Sequence, residues 1–153
     1  MNYQLAQVNI ARLIAPLDDP LLSEFVHFLE PINGLAENSP GFVWRLKDEE
    51  GTSATTIETP FDDDMMVVNM SVWENVEALR NFAYKTAYSY FVKSGSRWFE
   101  KLGKPHLVLW WVPAGEYLTL QDAAEKLALL AENGSSASAF NFGHLYDANG
   151  QRI

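Results

Sequence analysis

The chain contains no cysteine. That excludes a disulfide framework, a thiolate nucleophile and a thiolate metal site. Histidine is also scarce: His27, His106 and His144 are far apart and follow no metal-ligand spacing, so each is read as structural rather than catalytic. No P-loop, GxGxxG, GxSxG or HExxH motif occurs, which leaves nucleophilic and metallohydrolase chemistry without support. No apolar run approaches the ~18 residues of a membrane span. The N-terminal MNYQLAQVNIARLI alternates instead of forming a signal-peptide core, and a cytoplasmic location is the expectation. Cations are few as well. Against 20 Asp and Glu stand 11 Lys and Arg, and a net charge of −9 argues against nucleic acid and anionic membrane surfaces as partners.

What is present suits one globular domain spanning 1–153. A chain of this length buries roughly 70% of the surface its unfolded form exposes. Apolar residues make up 48%, and five Trp, six Tyr and nine Phe exceed what a minimal core needs, which fits an apolar pocket or a subunit interface. Six of the 11 cations fall between Arg80 and Lys104, opposed there only by Glu100.

Period-two alternation over residues 3–14 predicts a strand, ended by Pro16. Asp19-Pro20 marks a helix start, with apolar residues following at 21, 22, 25, 28, 29, 32 and 35. Pro31 falls inside that pattern and predicts a kink or break. Gly41–Lys47 reads as a second strand, joined by a polar turn to a short strand near Ala54–Glu58. The following Asp62, Asp63 and Asp64 read as a solvated loop. Met65–Trp73 is the best strand in the chain, and Asn75 caps a helix reaching about Val92, broken by Gly95. Arg97–Leu102 reads as a further helical turn and Pro105–Val112 as a strand apolar on both faces. Thr119 and Asp122 open a helix over 119–133, closed by Gly134, and 139–146 reads as an extended docked tail.

The order is β-α-β-β-β-α-β-α plus tail. Without the hairpin strand and the last helix it is the ferredoxin-like, split-βαβ arrangement, an α+β fold with helices on one face of an antiparallel sheet and a core over about 3–113. Strands apolar on both sides want cover on the second face too, which a second subunit packing sheet to sheet would supply.

The runs LAQVNIARL, GFVWRL, NMSVWENVEALRNFAY, RWF and LVLWWVPAG resemble an uncharacterised bacterial domain-of-unknown-function family over about Leu5–Phe142. That family belongs with the dimeric α+β barrels, alongside antibiotic-biosynthesis monooxygenase-like proteins. The resemblance implies a dimeric α+β barrel and a homodimer. In relatives a His stands at the position of Tyr88. Tyr exchanges hydrogen bonds but, with an ordinary pKa near ~10, is a poor base at neutral pH. Some haem-degrading members of that superfamily set an Asn, a Trp and a His around the cofactor. Asn9 and Trp73 could stand for the first two, but without the His the iron ligand is missing, so neither haem nor another cofactor is expected.

Two groups of candidate site residues remain. Asn9, Asn69, Ser71 and Trp73, with Gln7, are polar or indole-bearing residues embedded in apolar strands. They either orient a ligand between sheet and helices or, as buried polar groups usually do, satisfy one another and the backbone. Arg80, Tyr84 and Tyr88, spaced by four, could present a cation and two phenols to an anionic or aromatic ligand, or simply cover a sheet edge. The expected function is small-molecule binding, with a cofactor-independent monooxygenase-like reaction as its catalytic form. The alternative is a non-catalytic homodimer that binds a ligand or a protein. A small apolar or aromatic ligand suits either.

Overall fold

A computed structural model of the chain describes residues 2–16, 18–46, 66–85, 98–100, 106–116 and 118–153. The elements are β1 (Tyr3–Leu13), a 3-10 turn (Pro20–Leu22), α1 (Ser23–Glu37), β2 (Phe42–Arg45) and β3 (Met66–Trp73). There follow α2 (Val76–Lys85), β4 (Phe99–Glu100), β5 (Leu107–Pro113) and α3 (Leu120–Asn133). The hairpin strand near 54–58 and the three aspartates at 62–64 lie outside the described residues.

The helix starts follow from their caps. Asp19 accepts a hydrogen bond from the Leu21 amide at 2.9 Å, and Asn75 accepts one from the Ala78 amide at 2.9 Å. Thr119 and Asp122 form a reciprocal capping box, each side chain bonded to the other's backbone amide. Pro31 does not break α1, which runs unbroken from Ser23 to Glu37. A mid-helix proline forfeits one backbone bond and costs ~3 kcal/mol. Here both halves of the helix are anchored, Phe25 in one apolar cluster and Ile32 with Ala36 in another.

The chain forms an α+β fold on an antiparallel sheet, with β1 at its centre. On one side β1 pairs with β3 from Leu5↔Trp73 to Arg12↔Met66. On the other it pairs with β5 from Tyr3↔Pro113 to Asn9↔Leu107. Beyond Asn9 the same edge is taken by β4, through Arg12↔Glu100 and Leu13↔Phe99. Phe99–Glu100 is therefore strand, where the sequence had suggested a helical turn; it supplies partners to the end of β1 that β5 does not reach. β2 pairs antiparallel with β3, giving among the described residues the order β2-β3-β1 and then β5 or β4.

Pairing of odd with odd residues divides the sheet cleanly. The odd face of β1, β3 and β5 meets α1 and α2, where Leu5, Trp73 and Leu109 pack with Ile32, Ala36, Leu79 and Phe82. The even face carries Val8, Met70, Val108 and Trp110 and meets α3 through Ala123, Leu127 and Leu130. The two helices of the split-βαβ unit therefore share one face, as expected, and the additional helix α3 lies on the other. The apolar stripe of α3 covers the side that had been assigned to a second subunit, and Val8, Ile10, Met70, Val108 and Trp110 are each 3% exposed or less in the single chain. After α3 the chain returns to the odd side, where Phe140 and Leu109 exchange both backbone hydrogen bonds, at 2.7 and 2.9 Å.

Candidate ligand site

On the odd face the β1–β3 pairing sets three rows side by side: Leu5 with Trp73, Gln7 with Ser71, and Asn9 with Asn69. Residues directly opposite on neighbouring strands hold their Cβ atoms about 4.5–5.5 Å apart, close enough for short polar side chains to bond. They do. The Gln7 amide nitrogen contacts Asn69 Oδ1 at 2.7 Å and Ser71 Oγ at 2.8 Å. Asn9 Nδ2 reaches Gln7 Oε1 at 3.1 Å and Asn69 Oδ1 at 3.4 Å. At the inner end the indole N–H of Trp73 donates to Ser71 Oγ at 2.9 Å.

The strip runs from interior to surface. Trp73, Ser71 and Gln7 are buried, Asn9 is half-buried and Asn69 is exposed. Trp73 is fixed on all sides: its ring stacks on Phe82 of α2 with centroids 5.2 Å apart and meets Phe42 of β2 edge-on at 5.5 Å. With its N–H held by Ser71, it forms the floor of the site and has no donor left for a ligand.

A bulge brings in a cation. Regular alternation along β2 would put Phe42 and Arg45 on opposite faces. The pairing shifts register between Phe42 and Trp44, so that Phe42 opposes Trp73 and Arg45 opposes Ser71, both on odd-face residues. Arg45 is thereby buried beside the amide strip, with its Nε donating to Glu37 Oε1 of α1 at 2.8 Å. The carboxylate is partly exposed, which places the pair at the rim.

These groups line a cavity of about 50 Å³ between the odd face and α1 and α2. Its walls are mostly apolar, with Ile32 and Ala36 from α1, Leu79 and Phe82 from α2, Leu107 from β5 and Phe142 from the tail, and Asn33 of α1 adds one further amide. Small-molecule sites are commonly ~300–1,000 Å³, and a single water needs only ~10–15 Å³ of comparable space. The cavity therefore admits a few water molecules or one small functional group, whose remainder would extend past the exposed Asn69.

Asn9, Asn69, Ser71 and Trp73 are thus brought together by the fold. Arg80 is exposed on α2 and is not part of the lining; the cation at the cavity is Arg45. The backbone of Tyr84 lies in α2, but its side chain, like the whole of Tyr88, lies outside the described residues. His27, His106 and His144 are all exposed and away from the lining, and His144 Nδ1 meets Arg152 at 2.7 Å. Among the described residues no three His, Asp or Glu side chains gather closely enough to hold a metal ion. No described helix is long and apolar enough to cross a membrane. Arg45 was passed over in the sequence, although a lone arginine inside the apolar GFVWRL run was the available signal.

Fold and site together define an α+β chain with a small, polar-floored cavity. A family described as Domain of unknown function (DUF3291) matches residues 4–153, and the chain belongs to that family. No curated protein matches it. Among solved structures, PA3566 from Pseudomonas aeruginosa is similar at 10% identity and a TM-score of 0.49, over 78% of this chain and 98% of its own. NE2512, a protein of unknown function from Nitrosomonas europaea, is similar at 11% identity and a TM-score of 0.46, over 76% and 95%.

Proposed function

We propose that the chain is a small-molecule-binding module whose site is the cavity between the odd face of the sheet and α1 and α2. One observation carries this reading. Among the described residues the buried polar or charged side chains are Gln7, Ser71 and Arg45, and all three line that one cavity. Burying polar groups costs stability unless they are bonded, and a structural network could have been placed anywhere in the core. Here it is gathered against an unfilled space with apolar walls.

Binding is favoured over turnover. Among the described residues the lining groups are amides, a hydroxyl, an indole and a guanidinium, with no carboxylate, imidazole or amine. Such groups orient a substrate but do not move protons at neutral pH. The monooxygenase-like reaction implied by the family resemblance would draw its electrons from the substrate and ask the protein only to position it. That remains the second reading, with Asn9 and Asn69 as its positioning groups.

The antiparallel order β2-β3-β1-β5 supports the ferredoxin-like description, since it is the order in which a split-βαβ unit lays down its four strands. The dimeric barrel and the homodimer rest on family resemblance alone, because α3 lies on the face they would use. The unit we propose is the single chain.

Native mass spectrometry of the protein as purified tests the site. The expected result is a bound small molecule that is lost in Ala83→Phe, a substitution that fills the cavity from α2. A bound molecule retained undiminished by that variant contradicts the proposal.

A further inference from the structure

The amide strip carries information about what it binds, and this inference rests on the cavity being the ligand site. Gln7, Asn9 and Asn69 each have one oxygen and one nitrogen end, and their contacts tie the three orientations together. With Gln7 Nε2 donating to Asn69 Oδ1 and Ser71 Oγ, Asn9 Nδ2 must donate to Gln7 Oε1. Turning any one amide alone sets oxygen against oxygen or nitrogen against nitrogen. Turning all three restores every bond in reverse, with the Ser71 hydroxyl donating to Gln7 while still accepting from Trp73.

Both arrangements end the same way. In the first, Asn9 Oδ1 and Asn69 Nδ2 are the ends not used within the strip; in the second they are Asn9 Nδ2 and Asn69 Oδ1. Asn9 and Asn69 are direct partners across β1 and β3 and both line the cavity at its outer end. The outer end of the strip therefore offers one donor beside one acceptor, whichever way the chain of amides runs. Among the described lining residues Arg45 alone is charged, and its Nε is held by Glu37 at 2.8 Å, which argues against an anionic ligand.

We infer that the ligand is neutral and presents an adjacent hydrogen-bond donor and acceptor: the edge of a cis-amide, as in a lactam, cyclic imide or pyrimidine-like ring. Its apolar part lies against the apolar lining, where Leu107 stands beside Asn9 across β1 and β5 and Phe142 adds a ring. Because the three amides reverse as a unit, the site accepts either orientation of that edge.

The test is a titration of the full-length protein followed by the side-chain amide signals of Asn9 and Asn69 in nitrogen–proton NMR. The probes are 2-pyrrolidinone, N-methylpyrrolidinone, acetate and acetamidinium. The first should bind roughly tenfold more tightly than the second, which lacks the N–H, the ratio expected for one hydrogen bond. Asn69→Asp permits only the first arrangement and leaves two acceptors facing outward. In that variant preference should pass to acetamidinium, which offers two donors. Acetate or N-methylpyrrolidinone binding as well as 2-pyrrolidinone overturns the ligand class while leaving the cavity as a site. If no probe shifts these signals in a protein whose circular dichroism is native, the cavity reading fails as well.

Discussion

Arg45 and Glu37 lie on different elements, and the guanidinium Nε donates to the carboxylate at 2.8 Å with the arginine 7% exposed. The bond ties the edge strand β2 to the last turn of α1 and cancels the charge at the cavity wall. Removing one partner of such a pair leaves the other poorly compensated. Glu37→Ala and Arg45→Ala should each destabilise the chain by about 1–3 kcal/mol in urea unfolding, at the low end for Glu37 because its carboxylate is partly solvated. The double variant should fall short of the sum by at least ~0.5 kcal/mol, the coupling expected of residues in direct contact. Additive losses would show that the pair is not a stabilising contact.

Ser71 holds two donors at once, from Gln7 and Trp73. Ser71→Ala orphans the buried Trp73 N–H and removes one of the contacts of the Gln7 amide, and a loss of about 1–3 kcal/mol is expected. Trp73→Phe keeps an aromatic ring between Phe42 and Phe82 but removes the indole N–H. Combined with Ser71→Ala it should cost less than the two changes separately, because no indole donor is then left orphaned. Equilibrium denaturation of the three variants decides this.

The elements were largely legible in the sequence, and the site was legible in part. Alternation placed β1 and β3, caps placed the helices, and Asn9, Asn69, Ser71 and Trp73 stood out because polar side chains interrupt apolar strands. Arg45 did not stand out, since alternation alone gives it the wrong face and only the bulge, a matter of pairing with β3, turns it inward. Residues such as Ile32 and Phe142 carry no local mark of lining a cavity, because their position depends on contacts across the sheet. The cover on the even face was misassigned for a similar reason. Two-sided apolar strands demand a partner layer, but strand pattern does not say whether that layer comes from another subunit or from the chain's own α3.

Gly41 immediately precedes β2 with φ +83, in the left-handed region that side chains with a Cβ rarely adopt. A Cβ added there would run into the Cβ of Ala78 on α2. Gly41→Ala should therefore destabilise by more than the ~1–2 kcal/mol of the backbone term alone. Gly115, also at positive φ, has open space around it, and Gly115→Ala should show the backbone term only. Thermal melts of the two variants side by side separate strain from steric conflict; equal losses would contradict the close packing of β2 on α2.

With α3 covering the even face, light scattering at micromolar concentration should give about 17.3 kDa, the mass of one chain. Leu127→Asp, which places a charge in the contact between α3 and the sheet, should lower stability by at least ~2 kcal/mol. A stable particle of twice the monomer mass would contradict the single-chain unit.

The central claim is that the strip from Trp73 to Asn69 floors a ligand site instead of merely knitting β1 to β3. The most direct measurement is a crystal structure of the protein soaked in 2-pyrrolidinone. The amide edge of the ring should be found at the cavity's outer end, its N–H and C=O bonded to Asn9 and Asn69. A cavity that holds only water in that crystal, with the amide strip unchanged, would contradict it.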